Sequence, residues 1–239
     1  GRGAPGDGQT CARRRGGEST TRKANKAGEC LQESRFFSNI APRSAHAPAS
    51  LPTNIKPYAM ELYFVRHTSV AVPPGVCYGR TDVPLRDTFG QEAADVRARL
   101  AELLPAGTAF DHVYTSPLSR CTRLAASCGH PDAERDDRLL ELDFGAWEMR
   151  AYDDIDDPRL EEWYADYLNV APTRGESFAM QRQRVAHFLD EVRRRPWQRV
   201  GVFTHAGVVL CAELYAGHFG CDGMFGHLTP YGGVVRIDL

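Results

Sequence analysis

No run of about 18 consecutive apolar residues occurs in the chain, so no segment is expected to cross a membrane. Paired cysteines are missing too. The seven cysteines form no CxxC, and an odd, scattered set argues against a disulfide framework. Free thiols in a reducing cytoplasm are expected instead, several of them as small apolar core residues. There is no GxxxxGK[ST] loop, and no glycine-rich dinucleotide fingerprint follows a strand, so neither an NTPase nor a dinucleotide enzyme is indicated. Metal-ligand spacing is also lacking. His218, Cys221 and His227 lie near one another, but glycines intervene and no fourth ligand stands at a usual zinc spacing.

Strong net charge is absent as well: the 239 residues sum to −2, with 42% hydrophobic and 25% charged, as suits one globular domain with a sizeable core. The average hides an asymmetry. Residues 1–59 hold ten Lys or Arg against four Asp or Glu, +6, which leaves −8 for the remainder. This stretch is rich in Gly, Arg, Ser and Pro, shows no helical or strand period, and has no apolar core of a secretory signal. It is expected to be a disordered basic leader, with a transit peptide, a nucleic-acid tail and an upstream stretch read into the frame as the other readings. Met60 begins the compact part, 60–239.

What is present begins with Leu62-Tyr63-Phe64-Val65-Arg66-His67, an unbroken β-prone run of the kind buried on both faces of a parallel sheet. It ends in a cation and an imidazole, at the carboxyl end of a strand, where ligands of α/β sheets collect. An Arg-His pair alone is an ordinary strand end. A second copy changes that: Val200-Gly201-Val202-Phe203-Thr204-His205-Ala206-Gly207 repeats the pattern late in the chain. A third junction is Phe110–Thr115 followed by Ser116-Pro117-Leu118-Ser119-Arg120, read as a strand, an N-cap at Ser116 and a helix to about Cys128. Arg120 would then stand in a first helical turn, where anions are favoured.

Between these junctions, Thr88–Leu104 reads as a helix with Ala93, Val96, Leu100 and Leu103 inward, and Glu176–Arg195 as another with Phe178, Val185, Phe188, Leu189 and Val192 inward. A helix over about Gly207–Ala216 and a strand over Val234–Asp238 close the chain. Glu141 lies in the apolar stretch around Leu139, Leu142 and Trp147, so burial makes it a candidate proton donor, against the commoner reading of a capping or salt-bridged Glu. Asp143 and Glu148 read as solvated. The acidic, aromatic segment Tyr152–Gly175 reads as an irregular helical insertion, a lid over the site.

Alternating strands and helices predict an α/β three-layer sandwich, a mostly parallel central sheet with helices on both faces. Such a sheet would bring Arg66, His67, Arg120 and His205 to one edge. Two guanidiniums match the oxygens of a phosphoryl group, and a neutral imidazole is a competent nucleophile toward phosphorus.

Leu62–His67, Ser116–Arg120, Leu140–Gly145 and Thr204–Gly207, in this order, resemble the motifs of the histidine phosphatase (phosphoglycerate mutase-like) superfamily, over Met60–Leu239. Cys77–Leu85 and Glu141–Glu148 are similar to its α-ribazole phosphatase branch in cobalamin biosynthesis. One departure is Thr68, where that superfamily usually has Gly after the Arg-His pair. The resemblance implies a phosphoglycerate mutase-like fold and a cytoplasmic phosphomonoester hydrolase that needs no metal or organic cofactor. In it His67 is the nucleophile, Arg66, Arg120 and His205 bind phosphate, and Glu141 is the proton donor. Thr68, Tyr78, Gly79, Thr204 and Ala206 are candidate substrate contacts, with Tyr231 and the Tyr152–Gly175 insertion shaping specificity. Expected partners are a small phosphomonoester, with no nucleic acid and no membrane; a homodimer is left open. Two other readings are carried: a phosphoglycerate mutase or broad sugar-phosphate phosphatase, and a catalytically silent phospho-ligand module.

Overall fold

The computed structural model describes residues 59–221 and 223–239. The expectation of a disordered leader therefore lies, apart from Ala59, outside the described residues.

Two apolar runs with an identical physical signature form the centre of the sheet. Strand β1 (Glu61–Arg66) pairs in parallel with a strand over Arg199–Thr204, in a register that sets Leu62 opposite Val200 and Arg66 opposite Thr204. Strand β2 (His112–Thr115) lies parallel on the far side of that strand. A two-residue strand, β3 (Glu134–Arg135), adds parallel to β2. With Arg199–Thr204 as β4 and Val234–Asp238 as β5, antiparallel to β1, the order is β3-β2-β4-β1-β5. The sheet is thus mostly parallel, as expected.

Alternation of side chains along the strands decides which helix covers which face. Leu62, Phe64, Val200 and Val202 pack with α4 (Phe178–Val192) and α5 (Ala206–Tyr215). Val65 and Phe203 point the other way, against α1 (Phe89–Leu103) and α2 (Ser119–Ser127). All six strand side chains are fully buried, each contributing about 1.5–3 kcal/mol of apolar transfer relative to exposure. The result is the three-layer α/β arrangement. The insertion holds a short 3-10 turn at Tyr152–Asp154 and a two-turn helix, α3 (Arg159–Ala165). Among the described residues no helix is long and apolar enough to cross a membrane.

Three local expectations need correction. Ser116 does not cap α2. Pro117 disfavours a helical backbone in the residue before it, Leu118 still has extended dihedrals, and the helix begins at Ser119, so Arg120 is its second residue. Leu103, expected inward, is 43% exposed at the last residue of α1, where little of the protein covers it. Helix α4 is shorter than Glu176–Arg195: Ser177 caps it through a hydrogen bond from the Met180 N–H, and it ends at Val192 with Arg193 as its C-cap. Strand β3 had no sequence signal.

Candidate active site

The register of β1 on β4 does the first work. Because Arg66 sits opposite Thr204, the next residues, His67 and His205, emerge level with one another, and the His67 N–H donates to Thr204 O at 3.0 Å. Their rings stand 5.2 Å apart between centroids, at 65°. His67 Nδ1 lies 2.7 Å from Thr68 O. A carbonyl only accepts, so Nδ1 carries the ring hydrogen and Nε2 keeps its lone pair. Burial, then the nearby Arg120 charge, lowers the His67 pKa to about 3. The imidazole is therefore neutral near pH 7, the form a nucleophile needs.

His205 is buried against its neighbours. Its Nδ1 accepts from Arg120 Nε at 3.3 Å, so the remaining hydrogen is on Nε2, 2.8 Å from Ser116 Oγ. Desolvation, followed by the Arg120 and His67 contributions, holds its pKa well below the usual value. Arg120 itself is fully buried on α2, with NH1 donating to Thr81 O at 2.8 Å and NH2 to Gly79 O at 2.5 Å. Arg66 donates from NH1 to Thr229 O at 2.6 Å and lies 4.0 Å under the Tyr231 ring. Its Nε is buried without a hydrogen-bond partner, as is the Thr68 hydroxyl one residue beyond His67. The orphaned Arg66 Nε, on a side chain that lines the same cavity as His67, is what an anion would satisfy.

Glu141 lines the same cavity as Arg66, His67 and Arg120. Oε1 accepts from Gln181 Nε2 at 2.9 Å and from the Leu142 N–H at 3.0 Å, and Oε2 accepts from the Gly207 N–H at 3.2 Å. Gly207 is needed there, because a Cβ would lie 2.4 Å from Glu141 Oε1. A cavity of about 390 Å³ joins these groups, lined by Arg66, His67, Arg120, Glu141, Gln181 and Ala206 at its base. Tyr78, Phe144, Tyr152, Trp163 and Tyr167 form its wall. The structure therefore brings together Arg66, His67, Arg120, Glu141 and His205. Ala206 and Tyr78 line the same space; Thr68, Gly79, Thr204 and the fully buried His205 do not, His205 standing behind His67 and Arg120. Thr204 donates instead to Leu139 O at 2.8 Å, holding the 3-10 turn Asp137–Leu139 that leads to Glu141. Thr68 takes the usual glycine position without left-handed backbone, since among the described non-glycine residues only Met149 and Arg174 have positive φ.

Glu148 corrects the reading of a solvated carboxylate. It accepts from the backbone N–H groups of Gly79, Arg80 and Thr81 at 2.9–3.1 Å, and from the Thr81 hydroxyl at 2.6 Å. Burial alone would raise its pKa, but these bonds hold it below the ordinary value. The loop so fixed is the one whose carbonyls hold Arg120. Asp143 is partly covered, accepting from the Gly145 N–H at 2.8 Å and pairing with Arg80 at 3.5 Å. Among the described residues no group of three or more His, Cys, Asp or Glu is placed to hold a metal ion.

Comparison with known proteins matches residues 62–238 to the family described as the histidine phosphatase superfamily (branch 1). The chain belongs to that superfamily. It is 30% identical over 158 residues to an adenosylcobalamin/alpha-ribazole phosphatase of Escherichia coli, covering 63% of this chain and 75% of that protein. It is also 30% identical over 179 residues to phosphoserine phosphatase 1 of Hydrogenobacter thermophilus, covering 68% and 82%. A phosphoglycerate mutase structure from Thermus thermophilus superposes with a TM-score of 0.58 at 30% identity, over 75% of this chain and 96% of that one. This histidine phosphatase is thus a phosphate-ester enzyme of phosphoglycerate mutase-like fold, and its phosphatase relatives make it a hydrolase of small phosphorylated molecules.

Sequence reasoning missed three residues of this histidine phosphatase site: Gln181, Ser116 as the partner of His205, and Glu148 as the anchor of the Gly79–Thr81 loop. Gln181 had a readable signal, a polar residue on the inward stripe of α4 between Phe178 and Val185. The other two depend on chain segments meeting in space and had none.

Proposed function

We propose that the domain 60–239 hydrolyses a phosphomonoester through a phosphohistidine on His67, with α-ribazole 5′-phosphate as substrate. The observation that carries the chemistry is the single one of His67 Nδ1–H tied to Thr68 O, with Nε2 free and His205 at 5.2 Å. Nε2 attacks phosphorus in line; an N–P bond forms and the P–O bond to the leaving group breaks. The electron pair goes to the leaving oxygen, which takes a proton from Glu141. Arg66 and Arg120 stabilise charge on the equatorial oxygens, and His205, whose Nε2–H is given to Ser116 Oγ, backs Arg120 through Nδ1. Water then attacks the same phosphorus, passing its proton to the Glu141 carboxylate as the N–P bond breaks and His67 recovers its lone pair.

Support for the substrate comes from the wall and from the relatives. Tyr78, Phe144, Tyr152 and Trp163 offer apolar faces for a flat base, which a nucleotide such as α-ribazole phosphate has and phosphoserine or phosphoglycerate lacks. Relatives from Escherichia coli and Salmonella carry the adenosylcobalamin/alpha-ribazole phosphatase name. Free thiols at Cys77, Cys121, Cys128 and Cys211 are consistent with a cytoplasmic setting. The test is kcat/KM for α-ribazole phosphate, phosphoserine, 3-phosphoglycerate and a sugar phosphate, with chelator present. A preference of about tenfold or more for α-ribazole phosphate is expected. Equal rates on all four point to a broad phosphatase, and transfer between phosphoglycerate positions to a mutase.

A further inference from the structure

The mechanism needs Glu141 to give up a proton in one step and to take one in the next, and the residue in contact with its carboxyl is Gln181. This side chain is fully buried, yet it occupies the inward face of α4 among Phe178, Val185, Phe188 and Leu189. Its Nε2 donates to Glu141 Oε1 at 2.9 Å, while its own carbonyl Oε1 is buried without a partner. An unpaired buried carbonyl is costly, so stability alone would favour Leu or Met at this position. The surroundings are shaped for the pair. A Cβ on Gly207 would come within 2.4 Å of Glu141 Oε1 and 2.9 Å of both amide atoms of Gln181.

We propose that Gln181 is the positioning residue for Glu141, holding its carboxyl toward the leaving oxygen above His67. A carboxamide suits both steps. Its N–H bonds the carboxylate, as seen here, and its carbonyl can accept from the protonated acid after the amide turns over. Leu142 N–H and Gly207 N–H, being backbone donors, can serve the carboxylate alone. The inference deepens the reading of Glu141 as proton donor and rests on it.

The experiment separates the two. Gln181→Met, Gln181→Leu, Glu141→Gln and the double variant E141Q/Q181M are compared on an alkyl phosphate, whose leaving group needs a proton, and on p-nitrophenyl phosphate, whose leaving group departs without one. Melting temperatures confirm folding, and both Gln181 variants remove the unpaired carbonyl rather than create one. Loss of a general acid is worth about 100-fold or more, so E141Q should lose at least that much more on the alkyl phosphate than on the aryl one. Q181M and Q181L should show the same bias at about tenfold, expressed in kcat rather than KM, and the double variant should be no worse than E141Q. Equal losses on both substrates for the Gln181 variants, no loss at all, or an additive loss in the double variant, with E141Q biased as expected, overturns the role of Gln181 alone. An unbiased E141Q removes Glu141 as the acid and takes the Gln181 proposal with it.

Discussion

His67 and His205 face each other at 5.2 Å because their strands are paired in a register that sets Arg66 opposite Thr204. Placing two imidazoles at the ends of adjacent parallel strands makes the core of the protein the ruler for the site. A one-residue slip would turn one ring to the other face of the sheet, so the hydrophobic register and the catalytic geometry are a single property.

The same burial that aligns His67 controls its titration. An unfolded His takes up a proton near pH 6.5, whereas folded His67 stays neutral until about pH 3. Between these values the unfolded chain binds more protons, so this contribution is fully present above pH 6.5 and is lost as the pH falls toward 3. Melting temperature should therefore decline across that window, and less steeply in His67→Gln. NMR of the His67 C2–H should show no titration near pH 6.5.

Gly79 and Glu148 together hold the carbonyls that grip Arg120. A Cβ on Gly79 would lie 1.8 Å from Leu142 O, which is backbone and cannot step aside. Gly79→Ala should lower stability by about 2–4 kcal/mol, as overpacking beside a buried network does. Glu148→Ala, leaving the N–H groups of Gly79, Arg80, Thr81 and Phe144 without their acceptor, should cost about 2–3 kcal/mol and reduce phosphate affinity along with it. Denaturant titration and inorganic phosphate inhibition measure the two effects.

Thr68 tests whether the orphaned hydroxyl belongs to the phosphate site. Thr68→Val keeps the shape and removes an unpaired buried oxygen, so stability should hold or rise slightly. Because Thr68 does not line the cavity, affinity for inorganic phosphate should change by less than about threefold, below the worth of one hydrogen bond. A loss of phosphate inhibition of about tenfold would instead place the hydroxyl inside the site.

Much of this was legible before the fold was known, for a definite reason. Strands buried on both faces must be continuously apolar, so the points where Leu62–Val65 and Val200–Phe203 give way to Arg66-His67 and Thr204-His205 stand out. Helices α1 and α4 announced themselves through their stripes. What escaped notice has no local signature. Glu134-Arg135 is a two-residue edge strand with both side chains exposed, and nothing in its pattern distinguishes it from a loop. Glu148 reads as a surface acid until the chain folds Gly79–Thr81 onto it. Ser116 has the look of an N-cap, and its real partner, His205, lies 89 residues away.

The central claim is that phosphate passes through the Nε2 of His67. The direct measurement is rapid quenching of the enzyme with labelled substrate under alkaline conditions, which preserve phosphohistidine, followed by peptide mapping. Label on the peptide containing His67, lost on acid treatment and absent from His67→Ala together with turnover, is the predicted result. Undiminished turnover by His67→Ala, or label carried by another residue, would contradict the account.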